Sequence, residues 1–164
     1  MSAKVDEWET LSHLIALTIA TAYLLNDPPQ SLMLVGAPGQ GKSRLLARFD
    51  SLETVLRLSD VTSDPFRKKV LPMMAKEGRR HIILPEFHKL LQRRDSTAEN
   101  TTGVLSLAMT GETHDAMIGP DDFKEIPRNF KIGVIAAMTQ RVFDLWHGKA
   151  ENSGLLDRFA VIPV

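Results

Sequence analysis

A glycine-rich turn between an apolar strand and a helix constrains this chain more than any other feature. Residues 36–43 read GAPGQGKS, which fits the pattern G-x-x-x-x-G-K-[S/T], and the apolar run SLMLV at 31–35 comes immediately before it. Glycines let successive backbone N–H groups turn toward one anion, because no Cβ blocks the approach. The helix that follows would direct its positive end at the same anion. The segment is predicted to bind the phosphates of a nucleotide; the alternative is a Gly/Pro turn that matches by chance.

Each residue type in this loop has a separate predicted task. Lys42 is expected to reach the β- and γ-phosphates, and Ser43 is expected to ligate Mg²⁺. ATP with Mg²⁺ is the predicted ligand pair, although no residue marks a contact specific for adenine over guanine. The residues predicted to bind the nucleotide are Gly36, Ala37, Pro38, Gly39, Gln40, Gly41, Lys42, Ser43 and Arg44.

Composition excludes several other classes of protein. The 164 residues contain no cysteine, which excludes a disulfide scaffold, a thiolate metal site and a cysteine nucleophile. Twenty basic residues balance twenty acidic ones, so any contact with DNA would have to be local. The longest apolar stretch, residues 14–25, is interrupted by threonines and is too short to cross a bilayer. We therefore expect a cytoplasmic protein that makes no membrane contact.

Strands and helices alternate along the chain. The apolar patterns predict strands at 31–35, 54–58, 81–85, 130–137 and 160–164, and helices at 6–25, 43–49, 64–77 and 97–110. This alternation favours an α/β fold with helices on both faces of a mainly parallel five-stranded sheet. We expect residues 1–30 to form an N-terminal helix packed on the core and residues 31–164 to form the nucleotide-binding core. Trp8 and Trp146 are expected to be packing residues.

Polar side chains suited to phosphate chemistry follow two of the strands. Glu86 follows the strand 81–85 and could orient water beside the γ-phosphate, or cap the next helix as a surface residue. Thr139 follows the strand 130–137 and could hydrogen-bond the same water, or begin an ordinary turn. Ligands of open α/β sheets bind at the edge where these strands end. Pro85 occupies the place where an aspartate would hold the hydration shell of Mg²⁺, so Glu86 could serve either the metal or the water.

The order and spacing of these segments resemble the core of an AAA+ ATPase, a P-loop NTPase with a three-layer αβα sandwich. The segments that carry the resemblance are residues 36–43, 82–90, 136–139 and 154–159. Within that family the chain is similar to the branch with a β-hairpin before the fourth motif strand, which includes minichromosome-maintenance helicases and bacterial enhancer-binding activators. Residues 105–119 and 127–130 are similar to that branch's helix, hairpin and return to the strand, which places the insert at about 111–128.

The resemblance implies a set of catalytic roles. Glu86 corresponds to the Walker B glutamate, Thr139 to sensor 1, and Arg158 to the arginine finger that completes a neighbouring subunit's site. Hydrolysis would use Mg²⁺ held by Ser43 and Glu86, in a homo-oligomeric ring such as a hexamer. An ion pair with Asp157 is the alternative for Arg158. The family's helical lid with its sensor 2 arginine is not matched, so we expect either a fragment of a longer protein or a minimal ATPase completed by a partner.

The resemblance also implies contact with DNA at the tip of the hairpin. His114 and Lys124 are the candidate phosphate contacts, but residues 113–124 hold one lysine and three aspartates, which is a poor surface for releasing counterions. Packing on the next subunit is the alternative for this hairpin. We expect an ATP-driven module of a phage or mobile-element type that acts in DNA remodelling, translocation, or replication- or transposition-type assembly. Two other functions stay open: a non-hydrolysing, nucleotide-dependent assembly or loader module, and a small-molecule P-loop kinase with Arg93 and Arg94 as its lid arginines.

Overall fold

One sheet of five parallel strands organises the part of the chain that the computed structural model describes, residues 2–24, 27–92, 95–112, 126–127, 129–150 and 154–164. The strands are β1 (Leu32–Gly36), β2 (Val55–Arg57), β3 (His81–Leu84), β4 (Gly133–Thr139) and β5 (Ala160–Pro163). Their order across the sheet is β2-β3-β4-β1-β5, and all neighbours are parallel. The prediction of an α/β fold with a mainly parallel five-stranded sheet is confirmed.

Helices connect the strands, as parallel pairing requires. They are α1 (Ser2–Ala20), α2 (Lys42–Leu46), α3 (Ser63–Pro65), α4 (Leu71–Glu77), α5 (His88–Leu91), α6 (Asp95–Thr110) and α7 (Gln140–Ala150). A π-helical segment joins α3 to α4 at Phe66–Val70, and short 3-10 turns cover Thr21–Tyr23, Ala47–Phe49 and Leu156–Arg158. Every helix among the described residues is too short or not apolar enough to span a lipid bilayer.

Helices cover both faces of the sheet. On β1, Met33 and Val35 belong to one hydrophobic cluster, whereas Leu32 and Leu34 belong to another. Successive side chains of a strand point to opposite faces, so the two clusters lie on opposite sides of the sheet. The first cluster includes residues of α4, α6 and α7, and the second includes residues of α1 and α2. Burial on both sides explains why β1 and β4 consist almost entirely of buried apolar residues.

The strand β4 starts later than its prediction over 130–137. Phe130 is buried, which accounts for the apolar pattern, but its backbone N–H donates to the carbonyl of Pro127 in a turn, at 3.0 Å. The strand begins at Gly133. A buried turn and a buried strand produce the same apolar run, so the pattern alone misplaced this boundary.

The sequence analysis did not predict two of the helices, α5 and α7. In α7, Val142, Phe143 and Trp146 are partly or fully buried at helical spacing, so the pattern was present in the sequence. The predicted hairpin insert at about 111–128 lies mostly outside the described residues. The helix predicted over 6–25 is represented by α1, which ends at Ala20 in a 3-10 turn.

Candidate nucleotide site

The loop between β1 and α2 turns through two glycines with left-handed backbone. Gly39 has a φ of +79° and Gly41 a φ of +82°, a region that L side chains rarely adopt. Gly41 is also the N-cap of α2, and the backbone N–H of Leu45 donates to its carbonyl at 2.9 Å. The backbone itself therefore favours glycine at both positions, independently of any ligand; Gly41 is a fixed glycine of the motif, whereas Gly39 occupies one of its variable positions.

Lys42 folds back over the loop that precedes it. Its Nζ donates to the carbonyl oxygens of Gly36 at 3.0 Å and Ala37 at 2.6 Å. The side chain is buried, and this burial lowers the pKa of its ammonium from the ordinary value. An ammonium has three donors, so these two bonds leave one for another acceptor. A phosphate at the mouth of the loop would supply that acceptor and a compensating negative charge.

Thr139 lies beside the start of the phosphate loop. In the parallel pairing of β1 with β4 its Cα partner is Gly36, the first residue of the loop motif. Thr139 is the last residue of β4, half-buried, and α7 begins at the next residue. The alternative in which Thr139 opens an ordinary turn is therefore wrong, and the register brings its position to the loop.

Glu86 also lies at the carboxyl-terminal ends of the strands. It follows β3, which β4 separates from β1. It is in the turn after β3, and the N–H of the next residue, Phe87, donates to the carbonyl of Ala137 on β4 at 3.2 Å. Its exposed carboxylate forms an ion pair with Lys89, one helical turn on. The hydrogen bond and the charge of Lys89, followed by the charges of His88 and Arg57, hold the pKa of Glu86 below its ordinary value. The ion pair with Lys89 uses only part of the acceptor capacity of the carboxylate, which has about four acceptor sites, so it can still accept a hydrogen bond from water.

Arg158 lies at the amino-terminal ends of the strands, whereas the phosphate loop follows the carboxyl-terminal end of β1. It ends the 3-10 turn that precedes β5, whose first residue Ala160 pairs with Leu32 at the start of β1. The loop leaves the other end of β1, about 13 Å away at 3.3 Å per residue. Arg158 therefore lies too far from the loop of its own chain to contact a phosphate there.

The guanidinium of Arg158 is held by its own loop. Its Nη1 donates to the carbonyl of Gly154, and its Nε is buried without a hydrogen-bond partner among the described residues. Within that part of the chain Arg158 makes no ion pair with Asp157, which was the alternative to the finger role. The buried, unsatisfied Nε–H carries a desolvation cost that an anionic partner could remove.

A cleft of about 630 Å³ opens beside the phosphate loop. One wall is formed by the predicted residues Gly39, Gln40, Gly41 and Arg44, which the structure brings together. The cleft is also lined by residues that the sequence did not single out as ligands: Glu7, Trp8 and Leu11 of α1, together with Arg48 and Val164. No local motif marks these residues, because tertiary packing brings them to the loop.

The donor set for the predicted Mg²⁺ is sparse. Among the described residues no group of three or more His, Asp or Glu side chains could hold a metal ion. This fits Mg²⁺ bound as it is in many nucleotide sites, through substrate phosphates, water and one or two protein ligands. Ser43 at the start of α2 is exposed and suits such a role, whereas Glu86 is engaged with Lys89.

Several predicted residues lie outside the described part of the chain. They are His114 and Lys124, the candidate DNA contacts, and Arg93 and Arg94, the candidate lid arginines of the kinase alternative.

The two tryptophans differ in their surroundings. Trp146 is buried and its ring centroid lies 5.5 Å from that of Phe87, as expected of a packing residue. Trp8 is half-buried; it packs against the cluster that contains residues of α1 and α2, as expected, and it also lines the cleft.

The chain was compared with known proteins. A scan against models of protein families finds no match, and a search of curated proteins finds no relative. The assignment of function therefore depends on the motif and on the geometry of the site.

Proposed function

We propose that this chain binds and hydrolyses ATP with Mg²⁺ as an AAA+ module that acts in a homo-oligomeric ring. The observation that carries the proposal is the convergence of three predicted elements at one edge of the sheet. The phosphate loop leaves β1, Thr139 pairs with Gly36 on the adjacent strand, and Glu86 follows β3 beyond it. Ligands of open parallel sheets bind at this edge.

The order of the strands gives each element a distinct position relative to the γ-phosphate. β4 lies between β1 and β3, so Thr139 is nearer to the loop than Glu86 is. A phosphate on the loop would have Thr139 at its side and Glu86 one strand beyond. This arrangement suits in-line attack by water on phosphorus, in which positioning and charge stabilisation supply the catalysis.

The proposed reaction assigns one task to each side chain. Glu86 orients the water and receives its proton as the bond from oxygen to the γ-phosphorus forms and the bond to the β–γ bridging oxygen breaks. Lys42 and the backbone N–H groups of the loop bind the phosphate oxygens, and the hydroxyl of Thr139 holds the water or a γ-oxygen. Bound Mg²⁺, which Ser43 would ligate, supplies charge neutralisation at the phosphates.

The ring is supported by the position of Arg158. A guanidinium at the amino-terminal ends of the strands cannot act on the loop of its own chain. Its Nε–H is buried without a partner among the described residues. In a ring, the edge that presents Arg158 would face a neighbour's phosphate loop. There its permanent charge would stabilise the transferring phosphoryl group. Action on DNA, in a phage or mobile-element system, is the part of the proposal that comes from the resemblance alone.

A non-hydrolysing assembly or loader module is the second candidate. It is favoured by the ion pair of Glu86 with Lys89 and by the buried Pro85, which stands where a metal-binding aspartate is expected. Such a module would bind ATP tightly and change its assembly state without turnover.

The deciding experiment measures ATP turnover against protein concentration, with and without single- and double-stranded DNA. Lys42→Ala should abolish nucleotide binding, whereas Glu86→Gln should leave binding intact and remove turnover. Turnover per chain that rises with concentration supports a ring ATPase, and a further rise with DNA supports DNA as the substrate. Tight binding with negligible turnover at every concentration would favour the assembly module. Equal loss of binding in both variants would contradict the assigned roles.

A further inference from the structure

The cleft beside the phosphate loop has a wall that the proposed hydrolysis does not use. That wall is the face of α1 formed by Trp8 and Leu11, with Glu7 at its rim. Arg44 and Arg48 also line the cleft. The volume of about 630 Å³ falls within the range of roughly 300–1,000 Å³ that is usual for small-molecule sites. A triphosphate that contacts only the loop would not touch this wall.

Helix α1 is fixed against the loop and α2. Leu11, Ile15 and Ile19 are buried in the same cluster as Leu45 and Leu46 of α2. Polar contacts add to this packing: Nη1 of Arg48 lies 3.4 Å from Oγ of Ser12, and that hydroxyl donates to the carbonyl of Trp8 at 2.9 Å. The position of α1 is thus set by the core, and the cleft does not need a ligand to form.

The indole of Trp8 lies directly against the loop. A Cβ built on Gly41 would be 3.6 Å from Cη2 of Trp8, which is van der Waals contact. A molecule whose phosphates occupy Gly39–Lys42 can therefore place the rest of its length beside this ring. An aromatic face next to a phosphate site is suited to stacking on a heterocyclic base, and the contact grows with the area of the base.

We propose that α1 is the base-binding element of this site, with the indole of Trp8 stacking on the purine ring of a nucleotide whose phosphates lie on the 36–43 loop. The inference rests on the proposed nucleotide function and names the part of the ligand that the loop does not contact. Leu11 supplies the apolar floor, and Glu7 at the rim is an acceptor for an exocyclic amino group. A purine is favoured over a pyrimidine because it covers more of the indole.

The test separates the base from the phosphates. Calorimetric titrations with Mg·ATP, Mg·CTP and Mg·tripolyphosphate are run on the wild type, Trp8→Ala, Trp8→Phe and the control Trp146→Phe, which alters an indole in the core away from the cleft. Trp8→Ala should weaken ATP binding roughly 5- to 150-fold, and Trp8→Phe should weaken it much less. Tripolyphosphate binding should stay within about twofold in all four proteins, and ATP should bind the wild type more tightly than CTP does.

Three results would overturn the inference. They are unchanged ATP affinity in Trp8→Ala, equal losses for ATP and tripolyphosphate, and equal affinities for ATP and CTP in the wild type. A wild type that binds neither ATP nor tripolyphosphate would instead refute the proposed function, and this inference with it. The two failures are therefore distinguishable.

A second measurement does not depend on how Trp8→Ala folds. The chain has two tryptophans, so Trp8 is the sole indole in Trp146→Phe. Its emission should change on saturation with Mg·ATP and stay nearly constant with Mg·tripolyphosphate. An equal change with both ligands would place the base away from the ring and contradict the inference.

Discussion

Thr139 and Gly36 face each other across the parallel pair β4–β1, so the last residue of one strand lies beside the first residue of the phosphate loop. The two residues are far apart in sequence, and the pairing register alone brings them together. It fixes the backbone of Thr139 relative to the start of the loop. The contribution of the Thr139 hydroxyl can therefore be tested separately from the loop itself.

Thr139→Val keeps the β-branched shape at the end of β4 but removes the hydroxyl. We expect turnover to fall about 10- to 1,000-fold, because a hydrogen bond made to the reacting groups is lost in a site where charge develops. The affinity for ATP should change little, since the loop is intact. Steady-state turnover and calorimetric affinity are the measurements, and Thr139→Ser should restore most of the activity. Full activity in Thr139→Val would exclude the sensor role.

Lys89→Gln should release the carboxylate of Glu86. The hydrogen bond and charge of Lys89 are the main causes that lower the pKa of Glu86, so this pKa should rise toward the ordinary value of 4.5 in the variant. Carboxyl-carbon NMR titration of the nucleotide-free protein measures it. Arg57→Gln is the matched control and should raise the same pKa less, because Arg57 is the smallest of the causes. An unchanged pKa in Lys89→Gln would mean that the ion pair is absent in solution.

Gly41→Ala adds a methyl group at a φ of +82° and against the ring of Trp8. We expect a loss of stability of about 1–2 kcal/mol from the left-handed backbone, together with a loss of ATP affinity as the loop shifts. Gly78→Ala is the matched control: its φ is +72°, it caps α4, and a Cβ there has no neighbour within 4 Å. Urea unfolding should show similar losses of stability in both variants, with ATP affinity reduced in Gly41→Ala alone.

His81 should make the stability of the fold depend on pH. The ring is fully buried at the start of β3, with Nε2 3.1 Å from the carbonyl oxygen of Gln30 and Nδ1 without a partner among the described residues. Burial, assisted by the charge of Arg80, lowers its pKa from 6.5 to about 4, although the bond to Gln30 acts in the opposite direction. The unfolded chain therefore binds more protons than the folded chain between these values, so stability falls as the pH falls.

The size of this effect follows from the shift. The free energy of unfolding should drop by about 3 kcal/mol between pH 7 and pH 4 through His81 alone. Urea titrations at several pH values measure the change. His81→Gln keeps a donor for the Gln30 carbonyl but does not titrate, so its stability should vary less over this window. The same slope in both proteins would assign the pH dependence to other groups.

Arg158→Ala should lower turnover by about 10³-fold or more, the effect expected when an arginine finger is lost, without weakening ATP binding to isolated chains. Because Arg158 lies at the far edge of its own sheet, mixing Arg158→Ala with Glu86→Gln should restore activity at mixed interfaces. Each variant then supplies the residue that the other lacks. Turnover of the mixture is measured across the full range of ratios, and the absence of rescue at every ratio would exclude action in trans.

Local sequence was sufficient for the phosphate loop and for most of the elements. The motif at 36–43 needs glycines where the backbone is left-handed, and Gly39 and Gly41 are in that conformation. The apolar runs at β1 and β3 predicted strands, since strands buried on both faces are apolar along their length. The start of β4 was misplaced because Phe130 is buried in a turn. The proposed chemistry of Glu86, Thr139 and Arg158 stays a prediction until turnover is measured.

The sequence by itself determined the loop, the alternation of elements and the class of fold, because turn conformation and periodicity depend on residues close together in the chain. Only the tertiary structure decided that Thr139 faces Gly36 and that the indole of Trp8 forms a wall of the cleft. Strand order, register and helix packing decide such contacts, and they depend on how distant apolar residues share one core. For that reason no local pattern could place α1 beside the phosphate loop.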